Sequence, residues 1–353
     1  MKVLKFVIIC LFVLTAAHCG QSQKIEKKMA LFPVEDLETS KWGYIDSTGK
    51  LVIGYQFRDA QPFSEGLAGV RTEEGLGYID EAGNVVIQGD FDECEPFSEG
   101  LAKVKIKVGP LHGFGYINKS GDLVIDPEFA LANEFSDGLA EVRSGGKYLY
   151  IDKTGTIVIE PGKHYQGPFS EGLAKVRIDN KWGYGNKTSE VVIEPRFKEA
   201  YPFSEGLACI KIESGDKYGY INKKGEVVIE PLSEIASDFS EGLARIKIDN
   251  KFGFIDKTGN IVIGLQKNEI ANFSDGMAAI YVKGSGMGYI DKTGKVLIEP
   301  QLGKVWYESG DFASDFSNGL ALVKSHGSLC YINKSGKFVW KYYDWTKAPG
   351  YQE

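Results

Sequence analysis

The sequence predicts an all-β fold, a tandem array of about nine three-stranded β-meander units with a repeat of about 34 residues. The first observation is an aromatic residue in a Gly-Tyr-Ile-Asp motif, which returns at steps of 34, 38, 34, 34, 36, 34, 35 and 42 residues. The second is a Phe-Ser-Glu/Asp-Gly motif between successive aromatics, and the third is apolar–polar alternation with period two. The aromatic markers are Tyr44, Tyr78, Tyr116, Tyr150, Tyr184, Tyr220, Phe254, Tyr289 and Tyr331.

Residues 1–19 are expected to be an export signal. Two lysines precede the apolar stretch 7–17, which is too short to span a bilayer. The signal ends in Leu-Thr-Ala-Ala-His-Cys, which resembles a bacterial lipoprotein signal and implies that Cys19 becomes the lipidated first residue. Ordinary cleavage after Ala17 is the alternative. Either way the sequence predicts an exported protein of the cell envelope, and lipidation would anchor it to a membrane.

The rest of the chain divides into a tether, an array and a tail. Residues 20–29 are polar and lack periodicity, so they are expected to form a short tether. The repeat array occupies residues 30–340, because Ala-Leu-Phe-Pro-Val at residues 30–34 takes the place of Gly-Leu-Ala-x-Val in later units. Residues 341–353 follow as a C-terminal cap or tail.

Each unit is expected to contain three short strands. The alternation in residues 101–106 is typical of a half-buried first strand, and the second strand carries the aromatic motif. The third is a run of three apolar residues such as 85–87, which suggests burial on both faces. A Glu-Pro pair follows in several units, as at Glu194 and Pro195, and is expected to end the ladder because proline lacks a donor.

Asp-Lys-Thr-Gly or Asn-Lys-Ser-Gly joins the second and third strands, as at residues 152–155 and 118–121. Aspartate or asparagine opens such a turn by bonding its own backbone, and glycine takes the left-handed position. Ser189 stands at that glycine position in one unit. Its hairpin is therefore expected to be the weakest, by about 1 kcal/mol.

These motifs resemble the WG, or KWG, β-repeat family, whose units carry Gly-Leu-Ala-x-Val, Lys-Trp-Gly-Tyr-Ile-Asp, Thr-Gly and Val-Ile-x-Pro in that order. The resemblance covers about residues 30–340. Many members of this family are bacterial and uncharacterised, so the resemblance implies a fold and little biochemistry. Trp42 and Trp182 keep the family's tryptophan. Other residues replace it at Leu76, Phe114, Tyr148, Tyr218, Phe252, Met287 and Leu329.

The aromatic residues of the second strand could form either a sugar platform or a core between units. Trp42 and Tyr44 are two residues apart, so they face the same side of their strand. An exposed ladder of such rings could hold sugar rings. Burial between units is the preferred interpretation, because Phe, Leu and Met replace the tryptophan freely.

The sequence predicts no catalytic residues, no metal site and no cofactor, and hence a protein that is not an enzyme. The carboxylates of the two turn motifs recur from unit to unit, so they are expected to serve the geometry of the unit. The four histidines lack ligand spacing. Cys94, Cys209 and Cys330 are widely separated and are expected to be free thiols.

The charge balance argues against nucleic acid as a partner. The chain has 41 basic and 48 acidic residues, and removal of the signal with its two lysines leaves 39 − 48 = −9. Nucleic-acid binding requires a basic surface, which a mildly acidic chain does not provide.

The array could be an open, solenoid-like stack or a closed, β-propeller-like ring. The chain begins and ends on whole units, with no strand left over at one end to complete a unit at the other. The aromatic residues at the end, Trp340, Tyr342, Tyr343 and Trp345, also suggest a cap over an exposed last layer. The open stack is therefore the preferred arrangement.

The function most consistent with these features is non-catalytic binding or scaffolding in the bacterial cell envelope. Protein partners are the first hypothesis and glycan or peptidoglycan the second, with an enzyme third. The step of 42 residues contains the insert 303–311, in which Trp306 and Tyr307 are candidate partner-binding residues. Exposed aromatic residues in a loop are typical interface anchors, whereas packing onto the end of the array is the alternative.

Overall fold

A computed structural model of the chain describes 33 strands and no helix within the described residues. The nine repeats are numbered here as units 1 to 9 in chain order. The described residues are 30–109, 111–160, 164–212, 215–302, 313–325 and 328–341.

The strands of units 1 to 4 come first. They are β1 (Leu31–Asp36), β2 (Lys41–Asp46), β3 (Leu51–Phe57), β4 (Asp59–Ala60), β5 (Ala68–Thr72), β6 (Gly75–Ile79), β7 (Val85–Gln88), β8 (Phe91–Cys94), β9 (Leu101–Val108), β10 (Leu111–Asn118), β11 (Leu123–Phe129), β12 (Leu131–Ala132), β13 (Leu139–Ser144), β14 (Lys147–Asp152) and β15 (Ile157–Ile159).

The strands of units 5 to 9 complete the array. They are β16 (Tyr165–Ser170), β17 (Leu173–Ile178), β18 (Lys181–Asn186), β19 (Val191–Ser204), β20 (Leu207–Ile212), β21 (Tyr218–Asn222), β22 (Val227–Ser233), β23 (Ile235–Ala236), β24 (Ala244–Ile248), β25 (Lys251–Ile255), β26 (Ile261–Gln266), β27 (Glu269–Ile270), β28 (Met277–Val282), β29 (Gly286–Asp291), β30 (Val296–Leu302), β31 (Leu320–Ser325), β32 (Ser328–Asn333) and β33 (Phe338–Lys341).

Each unit contributes an antiparallel meander in which neighbouring strands follow chain order. Units 1 and 9 form three-stranded sheets, whereas units 2, 3, 4, 7 and 8 form four-stranded sheets that include a short strand before the Phe-Ser-Glu-Gly turn. In units 5 and 6 the single strand β19 runs from one meander into the next, so seven strands form one sheet. The predicted all-β array of meanders is confirmed, and the short fourth strand is an addition.

A bulge recurs where the second and third strands pair. In unit 2, Tyr78 faces Ile87 and Ile79 faces Val85, so Val86 is an extra residue without an opposite partner. Only Ile87 of this apolar run is buried, whereas Val85 and Val86 are 45% and 47% exposed. The expectation that all three residues are buried was wrong, because the third strand contributes one side chain per unit to the core.

In units 5, 6 and 8 proline does not end the third strand, contrary to expectation. Strand β19 continues through Pro195 into the next unit. The ladder is irregular at this point, since Tyr184 faces Ile193 and Trp182 faces Phe197. Proline is therefore accommodated in a bulged stretch where no ladder donor is required.

The predicted hairpin turns are confirmed. The Asp152 carboxylate accepts hydrogen bonds from the backbone N–H groups of Thr154, at 2.9 Å, and Thr156, at 3.0 Å. Gly155 is in the left-handed region with φ of 84°. Ser189 has φ of 65° at the equivalent position, so a serine is held there in a conformation that favours glycine.

The core lies between successive units. Tyr116 of unit 3 packs edge-on against Phe135 of unit 4, with ring centroids 4.9 Å apart. Its hydroxyl donates to the carbonyl oxygen of Asn133 at 2.6 Å. The pairing of a second-strand aromatic with the phenylalanine of the next turn recurs along the chain at centroid distances of 4.7–5.4 Å. Neighbouring units therefore complete one another's core, as expected for repeats too small to fold alone.

The first and last units pack against each other, so the array closes on itself. Phe32 of unit 1 lies 5.5 Å from Tyr331 of unit 9, measured between ring centroids. The Tyr331 hydroxyl donates to the carbonyl oxygen of Pro33 at 3.3 Å, and Trp340 joins the same apolar cluster. These contacts match the β-propeller-like ring rather than the preferred open stack, and Trp340 packs into this contact instead of capping a free end.

Candidate functional site

The repeated turn carboxylates link neighbouring units. The Glu99 carboxylate of unit 3 accepts a hydrogen bond from the Gly138 backbone N–H of unit 4 at 2.9 Å, and Lys153 of the same unit lies 3.1 Å away. The hydroxyl of Ser98 donates to the carbonyl oxygen of Phe135 at 2.8 Å. We call this set of bonds the polar clamp. The acid–lysine pairs of the clamp are Glu65–Lys119, Glu99–Lys153, Asp137–Lys187, Glu171–Lys223, Glu205–Lys257, Glu241–Lys292 and Asp275–Lys334.

Both sets of repeated carboxylates have structural roles, but only the hairpin aspartates serve the geometry of their own unit as predicted. The turn acids join one unit to the next, and aspartates such as Asp291 hold their own hairpins by accepting backbone N–H bonds. No group of three or more potential metal ligands occurs among the residues that the structure describes. Cys94, Cys209 and Cys330 are buried thiols, as expected.

The two aromatic positions of the second strand have different surroundings. Tyrosines such as Tyr44 and Tyr184 are 0% exposed and lie in the core. Trp182 is only partly buried, with Lys175 Nζ 5.0 Å and the Arg177 guanidinium 5.4 Å from the ring centroid. Side chains of Lys or Arg also lie over Phe114, Tyr148, Tyr218 and Phe252. The core interpretation thus holds for the tyrosines, whereas the tryptophan position receives a cation–π contact in units 3 to 7.

Ionisable groups of units 4 to 7 also interact with one another electrostatically. Burial raises the pKa of Asp238 in unit 7, and Lys175 in unit 5 opposes that rise. Burial lowers the pKa of Lys175, whereas Asp238 and Glu141 raise it. The pKa of the Cys209 thiol is raised, first by burial and then by Asp238 and Glu199. A thiol in this state is a poor nucleophile at neutral pH, so the cluster offers charge compensation rather than an activated reactive group.

A pair of apolar side chains on the third strand of each unit is the most regular surface feature. We call these the apolar pairs. Each pair consists of the residue that faces the second strand and the bulged residue after it, as in Val227 and Val228. Fifteen of these side chains are 36–52% exposed. The exposed members are Leu51, Val52, Val85, Val86, Leu123, Val124, Ile157, Val191, Val192, Val227, Val228, Ile261, Val262, Val296 and Leu297.

The residues that the sequence singled out for anchoring and binding lie outside the described residues. Cys19, the predicted lipidation site, and Trp306 and Tyr307, the predicted partner-binding residues, are all in this group. Those assignments stay predictions. Within the described part of the chain, no helix is long and apolar enough to cross a membrane.

These features define an all-β, tandem-repeat protein with β-propeller-like structural neighbours. The chain belongs to the family described as a WG containing repeat, whose profile matches eight successive segments. These are residues 42–75, 77–107, 114–148, 150–182, 182–215, 218–252, 252–284 and 287–327. No curated protein matches the sequence.

Solved structures with a similar fold have little sequence in common with this chain. A crystal structure of the eukaryotic initiation factor is similar at a TM-score of 0.60 and 12% identity, covering 90% of this chain and 97% of the other. The computationally designed Ika8 protein gives 0.42 and 12%, with 80% and 95% coverage. BamB from Moraxella catarrhalis gives 0.38 and 11%, with 78% and 91% coverage. At such identities the likeness concerns the fold alone.

Proposed function

We propose that the protein is a non-catalytic binding or scaffolding protein of the bacterial cell envelope, and that it engages protein partners through the apolar pairs. The observation that carries this proposal is the composition of the pairs. Nine units with two positions each give eighteen positions, all of them apolar, although most are solvent exposed. Exposed apolar surface that recurs in an ordered pattern is typical of interaction sites.

Strand propensity alone does not account for this composition. Threonine is β-branched and suits an edge strand as well as valine does, yet it occurs at none of the eighteen positions. The exposed residue after the buried isoleucine varies freely in the same strands, being Gly54, Gln88, Asp126 and Glu230 in four units. The apolar character is therefore specific to the pairs.

The glycan alternative has less support. A sugar platform requires accessible aromatic faces, but the tyrosines of the Gly-Tyr-Ile-Asp motif are buried, and basic side chains lie over several of the rings at the tryptophan position. Peptidoglycan binding accordingly stands second to protein binding. An enzyme stays the third hypothesis, since the ionisable clusters described above contain no activated nucleophile.

The test replaces four bulged residues by an isosteric polar one: Val86→Thr, Val124→Thr, Val228→Thr and Val262→Thr in one chain. Threonine keeps the branched shape, so the melting temperature should move by no more than about one or two degrees. Capture and crosslinking of envelope proteins by the purified chain should fall strongly. A matched control replaces exposed acids that follow the buried isoleucine of the third strand in units 4, 5, 6 and 8, Glu160→Gln, Glu194→Gln, Glu230→Gln and Glu299→Gln, and should retain capture.

Three outcomes separate the hypotheses. Loss of the same crosslinked bands in the threonine variant, with the control unchanged, supports the apolar pairs as the binding surface. Equal capture by both variants contradicts it and directs attention to Trp306 and Tyr307, whose alanine double variant should then lose capture. Sedimentation with purified peptidoglycan that is unaffected by the threonine changes would favour the glycan alternative.

Envelope anchoring is tested separately. If Cys19 is lipidated, Cys19→Ser should abolish partitioning into detergent and give an unprocessed or soluble product. A mature protein that begins at His18 and carries no lipid mass would contradict the anchor and leave the binding proposal unaffected.

A further inference from the structure

The turn of unit 9 that corresponds to Phe-Ser-Glu/Asp-Gly contains an asparagine in place of the acid. Asn318 stands where the clamp acid stands in units 2 to 8, and with Gly319 it forms the only Asn-Gly pair in the sequence. Ser317 and Leu320 exchange backbone hydrogen bonds at 2.9 and 3.2 Å around these two residues. Asn318 and Gly319 have φ of 51° and 91°, both positive as in a type I′ hairpin turn, and the Asn318 side chain is exposed.

The backbone nitrogen of Gly319 is hydrogen-bonded to a carboxylate. Its N–H donates to Asp275 Oδ2 of unit 8 at 2.6 Å, and Lys334 Nζ lies 2.6 Å from the other oxygen of that carboxylate. The N–H bond lies in the peptide plane, whereas an amide nitrogen attacks through the face of that plane. Asp275 can therefore accept the proton without blocking the attack. A Cβ at Gly319 would meet no atom within 4 Å, so that side of the glycine is open.

We propose that Asn318 is a site of spontaneous deamidation, with Gly319 as the internal nucleophile and Asp275 as the proton acceptor. The Gly319 nitrogen bonds to the side-chain carbonyl carbon of Asn318 and gives its proton to the Asp275 carboxylate. The bond from that carbon to the side-chain nitrogen breaks, and the leaving group takes up the proton and departs as ammonia. A water molecule then opens the cyclic imide at either of its carbonyl groups, which gives aspartate or isoaspartate.

Other turns of the chain contain only part of this arrangement. Asp137 and Asp275 precede glycine in the same turn, with φ of 56° and 52°, but a carboxylate is a much poorer electrophile than an amide. Asn180 and Asn250 are also left-handed, with φ of 62° and 58°, but a lysine follows each of them and its side chain crowds the attacking nitrogen. Asn318 combines the amide with a following glycine.

Both products change the contact between units 9 and 1. Asn318 lines a groove of about 330 Å³ together with Ala30 and Leu31 of unit 1. Aspartate adds a negative charge here without a lysine to match it, since Ser47 stands at the lysine position of the clamp. Isoaspartate adds a methylene group to the backbone, so the two-residue turn no longer fits the register of its strands. The contact between units 9 and 1 should therefore weaken as the protein ages.

Ageing of the purified full chain at mildly alkaline pH tests the site. Chymotryptic peptides are followed by mass, and the peptide that contains Asn318 should gain the mass difference between an amide and an acid. It should also become a substrate for an isoaspartyl methyltransferase. Its conversion should be at least about tenfold faster than that of the peptides with Asn180 or Asn250, a barrier difference of about 1.4 kcal/mol. These two peptides are the internal controls.

Variants of Asp275 test its role as proton acceptor. Asp275→Gln removes the carboxylate and should slow the conversion of Asn318 several-fold. Asp275→Glu keeps a carboxylate, as found at this turn position in five other units, and should restore most of the rate.

Thermal unfolding measures the consequence for the ring. The aged native chain should melt at a lower temperature than the fresh chain. Aged Asn318→Gln should melt as it does when fresh, because the longer side chain forms a cyclic imide far more slowly.

Two results would overturn the proposal. Conversion of Asn318 that is no faster than that of Asn180 and Asn250 would show that this turn is not a deamidation site. Conversion in Asp275→Gln that is as fast as in the native chain, or faster, would remove Asp275 from the reaction and mean that the hydrogen bond to Gly319 only holds the turn.

Discussion

Units 9 and 1 meet through the same kind of aromatic contact as neighbouring units inside the array. The residues that form this contact are different. Inside the array, the phenylalanine of each turn packs on the aromatic residue of the preceding unit, as Phe135 does on Tyr116. At the closure, Tyr331 receives Phe32 instead, and Phe32 occupies a position that is alanine in all the later units. At the closure, a different position of the motif therefore supplies the aromatic ring. The comparison shows that the interface requires an aromatic ring, and that more than one motif position can supply it.

The two rings differ in how completely they are enclosed, and this predicts the largest effects. Phe135 is 2% exposed and its removal should cost about 3–5 kcal/mol, because Phe135→Ala leaves a cavity in a close-packed core. Phe32, at 9% exposed and 5.5 Å from its partner ring, should cost less in Phe32→Ala. Denaturant unfolding of both variants measures the difference. Equal losses would mean that the closing contact is as strong as an internal one.

Glycine substitutions sharpen the same comparison at an intermediate magnitude. Gly49 of unit 1 and Gly155 of unit 4 have φ of 88° and 84°, so alanine should cost about 1–2 kcal/mol in either hairpin. A Cβ at Gly155 would lie 3.4 Å from the Ile125 side chain, whereas at Gly49 it would lie 1.9 Å from the Val339 carbonyl oxygen in unit 9. Gly49→Ala should therefore destabilise the protein more than Gly155→Ala in thermal unfolding.

In Gly49→Ala the new Cβ would collide with the backbone of Val339, so the backbone at the contact of units 9 and 1 must shift. In Gly155→Ala a small movement of the Ile125 side chain is enough. Limited proteolysis provides the control, since Gly49→Ala should increase cleavage within units 1 and 9 and Gly155→Ala should not. A result in which the two variants melt alike would contradict the geometry of the closing contact.

The smallest effect is expected from installing a regular clamp at the closure. In these two units Asn318 stands at the position of the clamp acid and Ser47 at that of the clamp lysine. Asn318→Glu with Ser47→Lys therefore recreates the pair found as Glu205 and Lys257, whose side chains are 30% and 43% exposed. Solvent screening limits such a pair to about 0.2–1 kcal/mol. The double variant should therefore melt slightly higher than the native chain, and Asn318→Glu alone should not.

Acid titration identifies the clamp as the source of this gain. Burial alone would raise the pKa of Glu205, but hydrogen bonds from Lys257 and the Gly242 N–H, with the nearby lysine charge, lower it overall. A carboxyl group with a lowered folded-state pKa stabilises the protein above its unfolded pKa of about 4.3. That contribution is lost as the pH falls through the folded pKa. The gain from Asn318→Glu with Ser47→Lys should accordingly be present at pH 7 and decline below about pH 4.

Local features of the fold could be predicted from the sequence because each has a local cause. The left-handed glycines and the left-handed serine at Ser189 follow from the Asp-Lys-Thr-Gly pattern, and the thiol state of the cysteines follows from their wide spacing. The buried tyrosines follow from their recurrence, although the pattern did not distinguish them from the partly exposed position of Trp182 two residues earlier. That distinction depends on the packing between units, since Tyr184 lies against Phe203 of the next unit.

Features that depend on register or on distant contacts could not be predicted. Val86 is exposed because a bulge adds it to the strand, and three apolar residues in a row give no sign of that bulge. Closure depends on Phe32 meeting Tyr331, which are separated by almost the entire array. One signal was available, since phenylalanine at a position that is otherwise alanine requires a different neighbour.

Because the array closes on itself, the ring could also be built from a chain that starts in a different unit. Units 1 and 9 are neighbours in space, so the backbone could be joined there by a linker and cut in another hairpin, giving a circular permutant. The turn at Gly145 and Gly146 suits such a cut, because both residues have positive φ and a Cβ on either would meet open space. In such a permutant every unit could keep its neighbours, while the new chain ends would lie in the hairpin of unit 4.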